Sequence, residues 1–186
     1  VRCHQQPSLP AFKANLEGYV MAAKADAHFT FFDKRGTKGV DLGVRVQATD
    51  TCLNFRLYPD KPVIAFREFA LNDDNYIVTY PNRPVSADVR LTSTSDNCYF
   101  SVFAEENEFG RQIANVVVTD LDIKQLLTVV PVPGLPSLGG LFNMDAYYID
   151  QEDNFLVDGT VGANAFTYEG SRVGDISSRF TYTPRG

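Results

Sequence analysis

The stretch AHFTFFDKRGTKGVDLGVRVQATDTCLNFRL, Ala27 to Leu57, decides the fold class. Ala27, Phe29 and Phe31 alternate with His28, Thr30 and Phe32, the period-2 signature of a strand with one apolar face. The polar turn Asp33-Lys-Arg-Gly-Thr-Lys-Gly39 follows, after which Leu42, Val44 and Val46 oppose Asp41, Arg45 and Gln47. Thr49-Asp-Thr51 makes a second tight break, and Leu53, Phe55 and Leu57 alternate again. Strands joined by a few turn residues are antiparallel neighbours, because a parallel pair needs a long crossover.

The same grammar continues outward. Val63 to Ala70, Tyr76 to Tyr80, Val85 to Leu91, Cys98 to Ala104 and Gln112 to Val118 are short β-rich runs. Pro59, Pro62, Leu71-Asn-Asp-Asp-Asn75, Pro81, Pro84, Ser93-Thr-Ser-Asp96 and Asn107-Glu-Phe-Gly110 punctuate them. Met144 to Asp150, Phe155 to Gly159, Ala165 to Tyr168 and Asp175 to Tyr182 return to the pattern near the other end. The 14 Phe and 9 Tyr favour strands and supply buried area. The expected fold is one all-β domain over residues 1–186, a curved antiparallel meander closing to a half-barrel or barrel. Residues 1–10 read as a leader arm and 183–186 as a loose tail.

One segment departs from the pattern. Thr119-Asp-Leu-Asp-Ile-Lys-Gln-Leu-Leu-Thr128 opens on an N-cap residue, carries acids in its first turn and predicts the one helix. Val129 to Phe142 is strongly apolar, yet three prolines and three glycines interrupt any ladder. Left in water, Val129, Val130, Val132, Leu135, Leu138, Leu141 and Phe142 would form a patch that soluble monomers rarely tolerate. Residues 119–142 are therefore expected to act as a helix and an apolar lid or plug.

Composition narrows the function. A net charge of -6 argues against nucleic acid, whose phosphates require Lys and Arg. No run provides the roughly 20 uncharged apolar residues of a membrane-spanning helix. Cys3, Cys52 and Cys98 have no metal-ligand spacing, and they allow one disulfide with one thiol left over. Val44 to Phe55 and Val89 to Phe100 echo each other as strand, Thr/Asp turn, Cys, strand, which would let Cys52 and Cys98 lie together; Cys3 is the alternative partner of either. A chain opening on Val1-Arg-Cys-His reads as a processed, secreted, extracellular protein.

Catalytic signals are weak. His4 and His28 are the two histidines, and no Gly-x-Ser-x-Gly elbow accompanies them. Asp73-Asp-Asn75 and Asp150-Gln-Glu-Asp-Asn154 carry oxygen ligands without the spacing of a calcium loop, and read as turns. The expectation is a non-enzyme without metal or cofactor.

Cys3 and Pro7, a first strand Phe12 to Met21, Phe29-Thr-Phe-Phe-Asp33, Val44-Arg-Val46, the Cys52 hairpin and the Tyr58-Pro-Asp60 break resemble the amino-terminal half of LolA-like lipoprotein carriers and the animal ependymin-related proteins. The turn after Asp33 is longer than in ependymins, and their further cysteines are missing. A lipocalin is disfavoured because there is no Trp for its Gly-x-Trp signature. The resemblance implies a convex sheet wrapping apolar elements and holding a hydrophobic molecule.

The residues expected to face such a ligand are Phe29, Phe31, Leu42, Val44, Val46, Leu53, Phe55, Leu57, Phe100, Val102, Leu127, Leu135, Leu138 and Phe142. The leading expectation is a secreted carrier of a lipid, fatty acid, pigment or terpenoid. The alternative is an extracellular structural or interaction domain with a solid β core, forming a homo-oligomer through residues 126–142.

Overall fold

The computed structural model describes residues 13–129 and 134–184. The expected leader arm lies outside the described residues, as do Val130 to Pro133 of the expected lid. Twelve strands form one antiparallel sheet. They are β1 (Lys13–Met21), β2 (Lys24–Phe32), β3 (Lys38–Ala48), β4 (Leu53–Ile64), β5 (Arg67–Leu71) and β6 (Tyr76–Tyr80). β7 (Arg83–Ser93), β8 (Tyr99–Glu106), β9 (Gln112–Asp122), β10 (Leu138–Gln151), β11 (Asn154–Tyr168) and β12 (Ser171–Tyr182) complete it, with α1 (Ile123–Val129) between β9 and β10. The all-β antiparallel meander read from the alternation is the observed architecture.

The path runs through eleven lanes, because β5 and β6 share one. β5 pairs with Val63–Ile64 of β4 and with Leu91–Ser93 of β7, while β6 pairs with the opposite ends of the same two strands. Both run antiparallel to β4 and β7, so they are successive pieces of one interrupted strand. The turn Asn72 to Asn75 fills the gap by imitating backbone. Asn75 accepts a hydrogen bond from the Leu57 N–H at 2.8 Å and donates to the Leu57 carbonyl at 3.4 Å. Asn72 accepts from the Arg90 N–H at 2.9 Å and donates to the Asp88 carbonyl at 3.3 Å. Two side-chain amides thus satisfy ladder groups on β4 and β7 that would otherwise be orphaned. Four strands close a ring around this turn, whereas β1 and β12 each have one neighbour among the described residues.

The core lies where β5 and β7 meet. Phe69, Leu71, Val89, Leu91 and Cys98 are buried together, with Leu57, Ile64, Ile77, Phe100 and Leu121 packed around them. Arg67 ties this end of the sheet across to β9. Its guanidinium donates to the Asp120 carbonyl at 3.2 Å and pairs with Asp96 at 3.1 Å.

Three expected boundaries shift. Val63 to Ala70 is not one strand, because Ala65 (φ 50°) and Phe66 (φ 64°) make a left-handed two-residue turn between β4 and β5. The Phe66 ring packs edge-on to Phe31 at 6.3 Å, a contact that holds a turn its residue types disfavour. The helix begins later than expected: Thr119 to Asp122 continue β9, and the Asp122 carboxylate rather than Thr119 caps α1 through the Gln125 N–H at 3.0 Å. Leu138 to Phe142 are strand, not irregular lid. The glycines that seemed to forbid a ladder there make a bulge between Gly139 and Leu141. Gly140 (φ 119°) permits it, since a Cβ there would lie 2.8 Å from the Asn164 carbonyl oxygen.

Candidate functional site

Directly paired residues of antiparallel strands share a face, so the register can be followed from one edge of the sheet to the other. One such row is Val20, Ala25, Val46, Phe55, Ile77, Ala87, Ala104, Ala114, Tyr148, Val157 and Tyr182. It crosses all eleven lanes, and its only polar atoms are two phenol hydroxyls. The opposite face reads Tyr19, Asp26, Arg45, Arg56 on one side of the sheet and Asp88, Phe103, Asn115, Tyr147, Asp158, Thr181 on the other. The opposite face is the more polar of the two, although Ile113, Ile149 and Leu156 pair with one another on it.

Pairing and alternation place Phe29, Phe31, Leu42, Val44, Val46, Leu53, Phe55, Leu57, Phe100, Val102 and Phe142 on this apolar face, as expected from sequence. They do not converge on one cavity. Leu57 and Phe100 pack into the core cluster, and Phe31 is buried. Leu127, Leu135 and Leu138 line a separate open cleft of about 230 Å³ with Lys124, Thr128, Pro136 and Ser137. Leu53 borders another cleft, beside Cys52 and Tyr80.

A strongly apolar cleft of about 280 Å³ lies between the start of α1 and the last three strands. Phe142, Val161, Ala163, Phe166 and Ile176 line it from the sheet and Ile123 from the helix. Of these only Phe142 was among the expected ligand contacts. Val161 and Ile176 continue alternations visible in the sequence, but their closeness to Ile123 depends on where α1 turns back over β10. The volume is near the lower end of small-molecule sites and fits one small apolar molecule or one segment of an acyl chain.

On the polar face, charged groups of β2, β3 and β4 form a network. His28 Nε2 lies 2.6 Å from the Asp41 carboxylate, and Lys38 reaches the other oxygen of the same carboxylate at 2.5 Å. Burial would raise the Asp41 pKa, but the hydrogen bonds and charges of Lys38 and His28 outweigh it and hold the group below the ordinary carboxylate range. Tyr58 donates to Asp26, Arg45 pairs with Asp26 at 3.3 Å, and the Arg45 guanidinium sits 5.1 Å above the Tyr58 ring. Burial first, then the hydrogen bond to Asp26, pushes the Tyr58 phenol up to about 12. The ring lies flat over Gly43, where a Cβ would come within 2.2 Å of it. Each acid here already has a basic or phenolic partner, so the network clamps β2, β3 and β4. Among the described residues no three His, Cys, Asp or Glu side chains gather as a metal site.

Cys52 and Cys98 do not pair; both are free thiols. Because β5 and β6 share a lane, β3 and β7 run in opposite directions, and the two hairpins that echo each other turn at opposite ends of the sheet. Cys52 lies near Thr79 and Tyr80, beside the start of β7, while Cys98 lies beside its end. The ten steps from Arg83 to Ser93 span roughly 34 Å, far beyond disulfide reach. Burial also raises the Cys98 pKa, so this thiol is a core residue rather than a nucleophile. Cys3 lies outside the described residues. No helix among the described residues is long and apolar enough to cross a membrane.

No protein family, curated protein or solved structure matches the chain.

Proposed function

We propose that this chain binds a hydrophobic small molecule or lipid against the apolar face of its sheet, as a carrier or sequestering protein. The observation that carries the reading is the row of apolar residues through all eleven lanes, in a chain whose described residues include one helix of seven residues. A solid core needs its apolar face covered, and here the buried cluster is gathered around β5 and β7. Phe29 and Leu53 on one flank, and Ile176 and Tyr182 on the other, each keep more than a third of their surface in water. The cleft under Ile123 is the preferred seat, since its lining is almost wholly aliphatic and aromatic. Desolvating a ligand there supplies affinity at roughly 25 cal/mol per Å² of apolar area removed from water.

Organic extraction of the purified protein followed by mass spectrometry is the direct test, with binding of an apolar fluorescent probe as its companion. A stoichiometric apolar compound, or a probe signal abolished by Ile176→Asp with the fold intact, is expected. An empty extract together with no probe binding overturns the proposal.

A further inference from the structure

The two edges of the sheet differ in how they are protected. β12 carries Arg172, Asp175 and Arg179, is kinked at Gly174 (φ 111°), and has two register shifts against β11. Charges and bulges of this kind keep an edge from recruiting another strand. β1 has no such kink or register shift. Its nine residues pair with β2 without a register shift, it contains no Pro, and its charged residues are Lys13 and Glu17 alone. Leu16 is 74% exposed, Tyr19 53%, Val20 85% and Met21 68%. Half the backbone N–H and C=O groups of an edge strand point away from its neighbour and await a partner.

We infer that β1 is an interaction surface whose partner is a second copy of this chain, joined edge to edge by antiparallel β1–β1 pairing about Gly18. The strand is self-complementary in that register. With Gly18 opposite its counterpart, Leu16 meets Val20 of the second copy on the apolar face. On the polar face Glu17 meets Tyr19, and Asn15 meets Met21. Two neighbouring registers also keep the apolar faces aligned. The one centred on Glu17 sets two glutamates directly opposite, which is destabilising. The one centred on Tyr19 carries Leu16 past the end of the strand to Ala22. A two-fold axis through Gly18 makes both apolar faces continuous across the dimer. The kinked, charged β12 edge stops growth there, so the assembly is closed rather than fibrous.

Surface area agrees. The chain exposes 12680 Å², against about 8,900 Å² for a compact monomer of 20.7 kDa. That surplus exceeds the roughly 800 Å² that each partner of a standard interface buries. The inference is independent of the proposed ligand, and its test contains none.

The test is sedimentation equilibrium of the full chain up to about 100 µM, where even weak specific dimers are populated. A dimer is expected, with dissociation at least tenfold easier in Val20→Lys and in the double variant Leu16→Lys with Val20→Lys, at an unchanged denaturation midpoint. A chain carrying both Leu16→Cys and Val20→Cys is expected to give a reductant-sensitive dimer band that neither single variant gives, which reports the register. A monomer at every concentration overturns the inference, as does a dimer indifferent to both Lys variants. A cross-linked band from the single variants at equal yield overturns the Gly18 register.

Discussion

Val89 and Val20 are the same residue type on the same face of the same sheet, yet Val89 is 2% exposed and Val20 85% exposed. Val89 lies in β7, flanked by lanes on both sides and packed against Phe69, Leu71 and Leu91. Val20 lies in β1, with a neighbour on one side only among the described residues. Pairing puts both on the apolar face, Val89 between Asp88 and Arg90 and Val20 between Tyr19 and Met21. Alternation therefore tells which way a side chain points, and distance from the edge of the sheet decides whether anything covers it. That difference is the physical basis of the ligand and dimer proposals, because uncovered apolar surface is what apolar partners bind.

The largest test of the contrast is to place the same charge at both valines. Val89→Asp buries a carboxylate without a partner and is expected to cost more than about 4 kcal/mol, enough to abolish a cooperative urea transition. Val20→Asp is expected to move the midpoint of the monomer by no more than about 0.5 kcal/mol. Equal effects would mean that β1 is covered after all. Next in size, Phe69→Ala is expected to cost about 3–5 kcal/mol by leaving a cavity in the core, while Ile176→Ala costs under about 1 kcal/mol.

Asn75→Leu sharpens the comparison inside the core, where burial is not the issue. It removes the amide that serves both the N–H and the carbonyl of Leu57 and should cost about 2–3 kcal/mol in urea unfolding. Asn75→Asp keeps the acceptor for the N–H and loses the donor to the carbonyl, so it should fall between wild type and Asn75→Leu if the gap is held by these two bonds.

The smallest effect belongs to the polar face. Tyr58 holds its proton more tightly in the folded chain, at about 12, than at its ordinary value of 10.0. Its contribution is fully present below pH 10 and is lost as pH rises through about 12. Urea midpoints measured from pH 9 to 12 should decline in wild type and decline less in Tyr58→Phe. Gly43→Ala displaces the ring from its seat and should flatten the same profile, at a cost of about 1–3 kcal/mol at neutral pH.

Much of this molecule was legible in the chain. The hairpins from Ala27 to Leu57 follow from period-2 alternation and short polar turns, and the same signals locate most of the remaining strands. The face of each predicted contact from Phe29 to Val102 follows for the same reason, because side-chain direction in a strand is a local property. The Ala65-Phe66 turn is not legible in the chain, since neither residue favours a positive φ. It is held by packing of Phe66 near Phe31 and Gly39 and by the Phe66 N–H donating to the Gly39 carbonyl at 3.0 Å. Leu138 to Phe142 misled because a glycine pair signals a break and a bulge alike.

What the sequence determined by itself, then, is an antiparallel β-sheet with one apolar and one polar face, because pleat and turn chemistry act over a few residues. Tertiary structure alone decided that β5 and β6 occupy one lane, sealed by Asn72 and Asn75. That single lane reverses the sense of every later strand and parts Cys52 from Cys98. These outcomes depend on which distant strands share hydrogen bonds, a choice made by the whole sheet and recorded at no one position in the chain.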